Sequence, residues 1–148
     1  MTRHRQRSSD SKRHIDWLNK SGEDMRAAEL LLQHPECYNM CAFHCQQTIE
    51  KALKAYLLVA SDRLLDGHNL TWLCRQALRY DKEFSTWMDE SAVLNKFYIE
   101  TRYPTDLSFA LSRKRMEEVF KTAKEMYDFI CSQVYEEQEE EMDKELAL

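Results

Sequence analysis

Residues 41–58 read CAFHCQQTIEKALKAYLL, and the spacing of their side chains decides the fold class. In and around this stretch Tyr38, Cys41, Cys45, Ile49, Ala52, Leu53, Tyr56, Leu57 and Ala60 recur at three- and four-residue intervals, the period of an α-helix. The stripe is broad enough for the centre of a bundle, and it predicts a helix from about Glu36 to Ser61. Gln47, Lys51 and Lys54 align on another face, where Glu50 can pair with Lys54 one turn further on.

Outward from this helix, the chain is short of turn residues. Its 148 residues include two glycines and two prolines, whereas average usage would supply roughly 18 of the two types together. A β-sandwich needs a turn every few residues, and a doubly wound α/β fold needs glycines at its phosphate turns, so both are excluded. What remains is an all-α, up-and-down bundle of four long helices plus one short helix. Pro35 and Gly67 bound the central helix. Before it, Leu18, Ser21, Met25, Ala28 and Leu32, widened by Trp17 and Leu31, predict a first helix from His14 to about Gln33 that tolerates Gly22. After it come a short helix over about Leu70 to Tyr80 and a fourth over about Phe84 to Ile99, with Trp87, Met88, Leu94 and Tyr98 inward. The last long helix, about Ser112 to Tyr135, carries Met116, Val119, Phe120, Ala123, Tyr127, Ile130 and Val134.

Charge divides the chain into three. Residues 1–13 carry Arg3, Arg5, Arg7, Lys12 and Arg13 against Asp10, and residues 136–148 carry seven carboxylates against Lys144. We therefore expect a basic flexible arm over 1–13, one helical domain over 14–135 and an acidic, solvated tail over 136–148. The net charge is -5, so nucleic acid can be met only by a local patch. No apolar run approaches the 18 or so residues of a membrane span, and the basic N-terminus leads into no apolar stretch. The expectation is a soluble, cytoplasmic protein without membrane contact. Five cysteines, an odd number, read as reduced thiols. Cys37, Cys41 and Cys45 lie four apart beside His44, but two of them fall on the apolar stripe, which favours packing over zinc ligation. Two glycines cannot build a phosphate-cradling loop, and neither a zincin motif nor a nucleophile elbow is present. Neither metal nor cofactor is expected.

One segment breaks the helical period. Residues 97–106, FYIETRYPTD, set Arg102, Tyr98, Tyr103 and Asp106 around Pro104. The guanidinium fork suits phosphate or carboxylate, and the tyrosines can stack on a base or donate a hydroxyl. The same residues also fit a structural role, with the rings in the core and Arg102 satisfying helix-end carbonyls.

Taken together, the 41–58 stretch, His68-Asn69-Leu70 and YIETRYPTD at 98–106 resemble the HEPN domain family, in order and spacing, across roughly residues 14–135. The resemblance implies a helical bundle that commonly dimerises, with a groove lined by the second helix and by the segment before the last helix. It also implies service beside a minimal nucleotidyltransferase in a toxin–antitoxin-like pair, handling of nucleotide or RNA, or metal-independent ribonuclease activity. In the ribonuclease members a histidine follows an arginine after four to six intervening residues. There the imidazole moves the ribose 2′-hydroxyl proton while the arginine stabilises the phosphorane. Here Arg102 is the natural arginine, but Leu107, Ser108 and Phe109 stand where the histidine belongs. The pairs Arg63–His68 and Arg7–His14 have the spacing but the wrong location; His68 more readily orients its turn. The reading is a homodimeric nucleotide- or RNA-binding module, with contacts from Arg102, Tyr98, Tyr103, Asp106, Lys51, Gln47 and His44. A ribonuclease with a non-standard acid–base residue and a purely architectural domain are the competitors.

Overall fold

The structure is a computed structural model and describes residues 9–98, 104 and 111–147. Five α-helices occur among them: α1 (His14–Leu31), α2 (Tyr38–Ser61), α3 (Leu70–Leu78), α4 (Met88–Asn95) and α5 (Arg113–Leu146). Short 3-10 turns at Pro35–Cys37, Lys82–Trp87 and Lys96–Tyr98 join or extend them. The described residues contain no strand.

The position of α2 organises the rest. Of its 24 residues, 16 are buried, because it packs against α1, α3, α4 and α5 at once. The predicted stripe lies in the core with Met25, Ala28, Leu70, Leu73, Phe84, Leu94, Phe97, Met116, Ile130 and Val134. Cys41, Cys45 and Cys74 are buried among them, and burial pushes the Cys74 thiol up to about 11. The α1–α2 seam is close because its residues are small. Ser21 Oγ donates to the Thr48 carbonyl at 2.6 Å, and Cys41 Sγ donates to the Ala28 carbonyl at 3.2 Å. Gly22 has a specific reason: a Cβ there would stand 3.3 Å from the Tyr127 hydroxyl of α5.

The turns explain the motif at 68–70 residue by residue. Gly67 has φ of 104°, a conformation favouring glycine. His68 turns its ring to α2, Asn69 caps α3 by accepting from the Trp72 amide at 3.0 Å, and Leu70 is fully buried. Asn95 of α4 accepts from the Leu70 amide at 2.8 Å and ties α3 to α4.

Two boundaries differ from the sequence expectation. The predicted fourth helix opens as the 3-10 turn Lys82–Trp87, begun by Asp81 accepting from the Glu83 amide at 2.9 Å. At the other end α5 continues through the acidic stretch to Leu146, about 51 Å in all. Glu, Gln, Met, Lys and Leu are good helix formers, and the Gln138 side chain meets His14 of α1 at 2.8 Å. Residues 136–146 are therefore helix, although Met142 and Leu146 stand exposed. Residues 9–13 fold onto α1: the Trp17 indole donates to the Ser11 carbonyl and the Ser11 hydroxyl to Asp16, both at 2.7 Å.

Truncating the fully buried Ile49 or Leu53 of α2 to alanine should cost about 3 kcal/mol. Met142→Ala, on the exposed end of α5, should cost less than about 0.5 kcal/mol. Urea unfolding monitored by far-UV circular dichroism distinguishes the two classes.

Candidate functional site

Polar side chains are drawn into the bundle where α2 faces α1 and the loop before α3. Asp24 sits on the inward stripe of α1, three residues after Ser21 and four before Ala28, so it meets α2. Its Oδ1 accepts from His44 Nδ1 at 2.8 Å and its Oδ2 from Lys51 Nζ at 2.6 Å. His44 and Lys51 are two turns apart on α2, and the carboxylate bridges them. Burial alone would raise the Asp24 carboxyl, but the hydrogen bonds and charges of His44 and Lys51 carry it below its ordinary 3.8.

A second cluster centres on Glu50, which is 3% exposed. Its Oε1 accepts from His68 Nδ1 at 2.9 Å and Gln46 Nε2 at 3.3 Å, and its Oε2 from Lys54 Nζ at 3.4 Å. Burial again works to raise this carboxyl, and His68, Lys54 and Gln46 together hold it below its ordinary 4.5. The Gln46 amide also donates to the His68 carbonyl at 3.3 Å and accepts from Gln47 at 2.7 Å. A carboxylate only accepts, so Nδ1 carries the hydrogen in both histidines and Nε2 is the ring's basic position.

Aromatic rings flank the two clusters. The His68 ring stacks on Tyr98 with centroids 4.4 Å apart and planes inclined by 15°. Lys54 Nζ lies 5.5 Å from the Trp17 ring centre. Beside Trp17 opens a cleft of 530 Å³ lined by Asp16, Lys20, Lys51 and residues 9–11.

Of the residues nominated from sequence, His44 and Lys51 meet on Asp24, Gln47 joins the Glu50 cluster through Gln46, and Tyr98 reaches it through His68. Arg102, Tyr103 and Asp106 lie outside the described residues. Glu50 does pair with Lys54, as its spacing suggested, but its partnership with His68 was missed, as was Asp24. A carboxylate three residues after Ser21 on an otherwise apolar or small-residue stripe was the available signal for Asp24. Among the described residues, no three His, Cys, Asp or Glu side chains are arranged to hold a metal ion.

Removing Glu50 leaves the Lys54 ammonium buried without its carboxylate. Glu50→Ala should therefore destabilise by about 3 kcal/mol in denaturant titration. The depressed carboxyls of Asp24 and Glu50 also set an acid limit. As pH falls below their ordinary values, the unfolded chain takes up protons before the folded one, so stability present above about pH 4.5 is lost. Asp24→Asn should flatten this acid slope in unfolding measured from about pH 6 to pH 2.

No curated protein sequence matches the chain. The crystal structure of TT1696 from Thermus thermophilus superposes with a TM-score of 0.73 at 28% identity, over 83% of this chain and 99% of that one. The crystal structure of ST0689, an archaeal HEPN homologue, superposes at 0.67 with 21% identity, over 84% and 99% respectively, a likeness of fold. The family model for the HEPN domain matches residues 15–138. The bundle, the central polar helix and this match across most of the sequence agree: the chain belongs to the HEPN domain family.

Proposed function

We propose that this HEPN domain is a nucleotide- or RNA-binding module, acting as a homodimer beside a minimal nucleotidyltransferase in a toxin–antitoxin-like pair and not cutting RNA itself. The observation that supports it is the composition of the groove along α2. Lys20 and Lys51 supply cations and Asn19 an amide at the cleft, and Trp17 there and the stacked His68–Tyr98 pair beyond α2 supply rings. Phosphates, base edges and base faces call for these three chemistries respectively. The chain carries a net charge of -5, which makes a local concentration of cations and rings the meaningful feature.

In this reading Lys51 is shared between Asp24 and a phosphate, with Asp24 holding the ammonium in place. Arg102 adds a bidentate fork to the same phosphate, while Tyr103 and Asp106 contact the base and ribose. The absence of a histidine at Leu107, Ser108 and Phe109 favours binding over cleavage.

Short single-stranded RNA or a nucleotide should raise the Tm by several degrees at saturation. Arg102→Ala should abolish the rise while leaving the Tm of the unliganded protein nearly unchanged. The absence of a shift with any nucleotide or RNA, or a shift that survives in Arg102→Ala, would sink the reading.

A second reading, metal-independent ribonuclease activity through Arg102 and a non-standard acid–base residue, is favoured by one observation. Glu50 orients the His68 imidazole at 2.9 Å, an arrangement suited to proton transfer at Nε2. Incubation with single-stranded RNA in EDTA should give no cleavage. Specific cleavage lost in both His68→Asn and Arg102→Ala would replace the binding reading with this one.

A further inference from the structure

The outer face of α3 carries a pattern that the polar clusters of α2 do not use. The inner stripe of this helix is Leu70, Leu73, Cys74 and Ala77, all fully buried. Helical period therefore turns Trp72, Arg75, Gln76, Arg79 and Tyr80, at i, i+3, i+4, i+7 and i+8, to the opposite side of α3 and the turn that closes it. Trp72 and Tyr80 are 38% and 47% exposed, and both arginines stand in solvent.

The two arginines are not spent on neighbouring carboxylates. Every other arginine within an α-helix of the described residues pairs with a glutamate three or four residues on: Arg26 with Glu29, Arg113 with Glu117 and Arg115 with Glu118. Arg75 and Arg79 have no such pair among the described residues, and Arg79 donates instead to the Gln76 side chain at 3.3 Å. Residues 67–80 hold no Asp or Glu, although these number 26 of the 148 residues. The face is thus a local concentration of positive charge and aromatic surface on a chain of net charge -5.

Its spacing matches a strand of nucleic acid. Arg75 and Arg79 stand about 6 Å apart along the helix axis, comparable to the step between successive phosphates of an extended single strand. Trp72 offers a ring one turn before Arg75, and the His68–Tyr98 stack lies one turn further back, in the loop that leads into α3. A duplex keeps its base faces stacked on each other, whereas a single strand can lay them on protein rings while its phosphates meet guanidinium forks. At the far end the face is bounded. Tyr80 borders a pocket lined by Asp81, Glu83, Glu136, Glu137 and Glu140, whose charge turns a phosphate away. A strand on α3 therefore runs from Arg79 back toward His68.

We propose that the outer face of α3 binds a single-stranded polynucleotide, with Trp72 stacked on a base and Arg75 and Arg79 holding successive phosphates. The inference rests on the nucleotide- or RNA-binding reading above and narrows it from a mononucleotide to a strand of several nucleotides that reaches past His68 onto α3.

Fluorescence anisotropy of labelled oligouridylates, a tetramer and a dodecamer, with the full chain tests it. The dodecamer should bind at least about fiftyfold tighter than the tetramer, more than the extra registers of a longer strand supply. Trp72→Ala should weaken the dodecamer about tenfold and Trp72→Phe, which keeps a ring, less than about threefold, with the tetramer unchanged. Arg75→Gln combined with Arg79→Gln should flatten the slope of log Kd against log salt for the dodecamer by about 1.4, the share of two single-strand phosphates. All these side chains are exposed, so the Tm should move by less than about 3 °C. Dodecamer affinity unchanged in Trp72→Ala, or a salt slope unchanged in the arginine double variant, would overturn the proposal and leave the groove reading standing where the tetramer still binds. Failure of both oligonucleotides to bind would overturn both readings. Tighter binding of an octaglutamate peptide than of the dodecamer would overturn the proposal in favour of an acidic protein partner.

Discussion

A carboxylate inside a helical bundle must be surrounded by donors, and Glu50 imposes that requirement at the centre of this one. It lies on the helix that every other α-helix touches, and its oxygens accept from Gln46, Lys54 and His68. Satisfying it fixes the loop before α3, since His68 must reach inward. That in turn sets Asn69 at the start of α3 and Leu70 in the core. Tyr98, stacked on His68, is then held against the same centre at the end of α4's extension. Asp24 imposes the same demand on the α1 side. Its two oxygens each take one donor from α2, and the small residues Ser21 and Ala28 let α1 approach closely enough for that. The apolar core gives the bundle its stability, whereas these buried charges fix the register in which the helices meet.

The architecture was legible in the sequence because hydrophobic period and the scarcity of glycine and proline both report on it directly. Nearly all of the predicted stripes on α1, α2 and α5 lie in the core or against it. The extension of α5 was not legible in the same way. Charge density at 136–145 reads as solvation, and solvation does not separate an exposed helix from a coil; propensity and the contact of Gln138 with His14 do. The site was legible only in part, for a related reason. Spacing along one helix can show that Glu50 and Lys54 meet, since they are one turn apart. It cannot show that His68, 18 residues on, returns to Glu50, or that Asp24 sits between His44 and Lys51. Those contacts depend on helix packing, which a single strand of periodicity does not encode.

α2 also links the two polar regions of the molecule. Lys51 lines the cleft beside Trp17 and pairs with Asp24, and Lys54 is buried against Glu50. Tyr56, two residues beyond Lys54 and therefore about 200° around the helix, packs its ring on Phe84 of the Lys82–Trp87 turn. One helix thus carries a cation to the cleft on one side and a buried phenol ring in the core on the other. The same 24 residues carry the core stripe between them. The helix supplies structure and both sets of polar groups at once, so substitutions of its polar residues are felt in packing as well as in recognition.

The missing histidine after Arg102 does not leave the groove without an imidazole, because the fold brings His68 in from a different loop. What that imidazole can do follows from its partner. Glu50 holds its Nδ1 hydrogen and so fixes the ring's direction, as a base requires. The carboxylate's charge is, however, divided. Lys54 takes Oε2, and Gln46 shares Oε1 with His68. Lys54 is thereby engaged inside the bundle, whereas Lys51, held by Asp24, also lines the cleft beside Trp17. In the proposed reading the phosphate therefore meets Lys51 and Lys20 at the cleft rather than the cations of the Glu50 cluster.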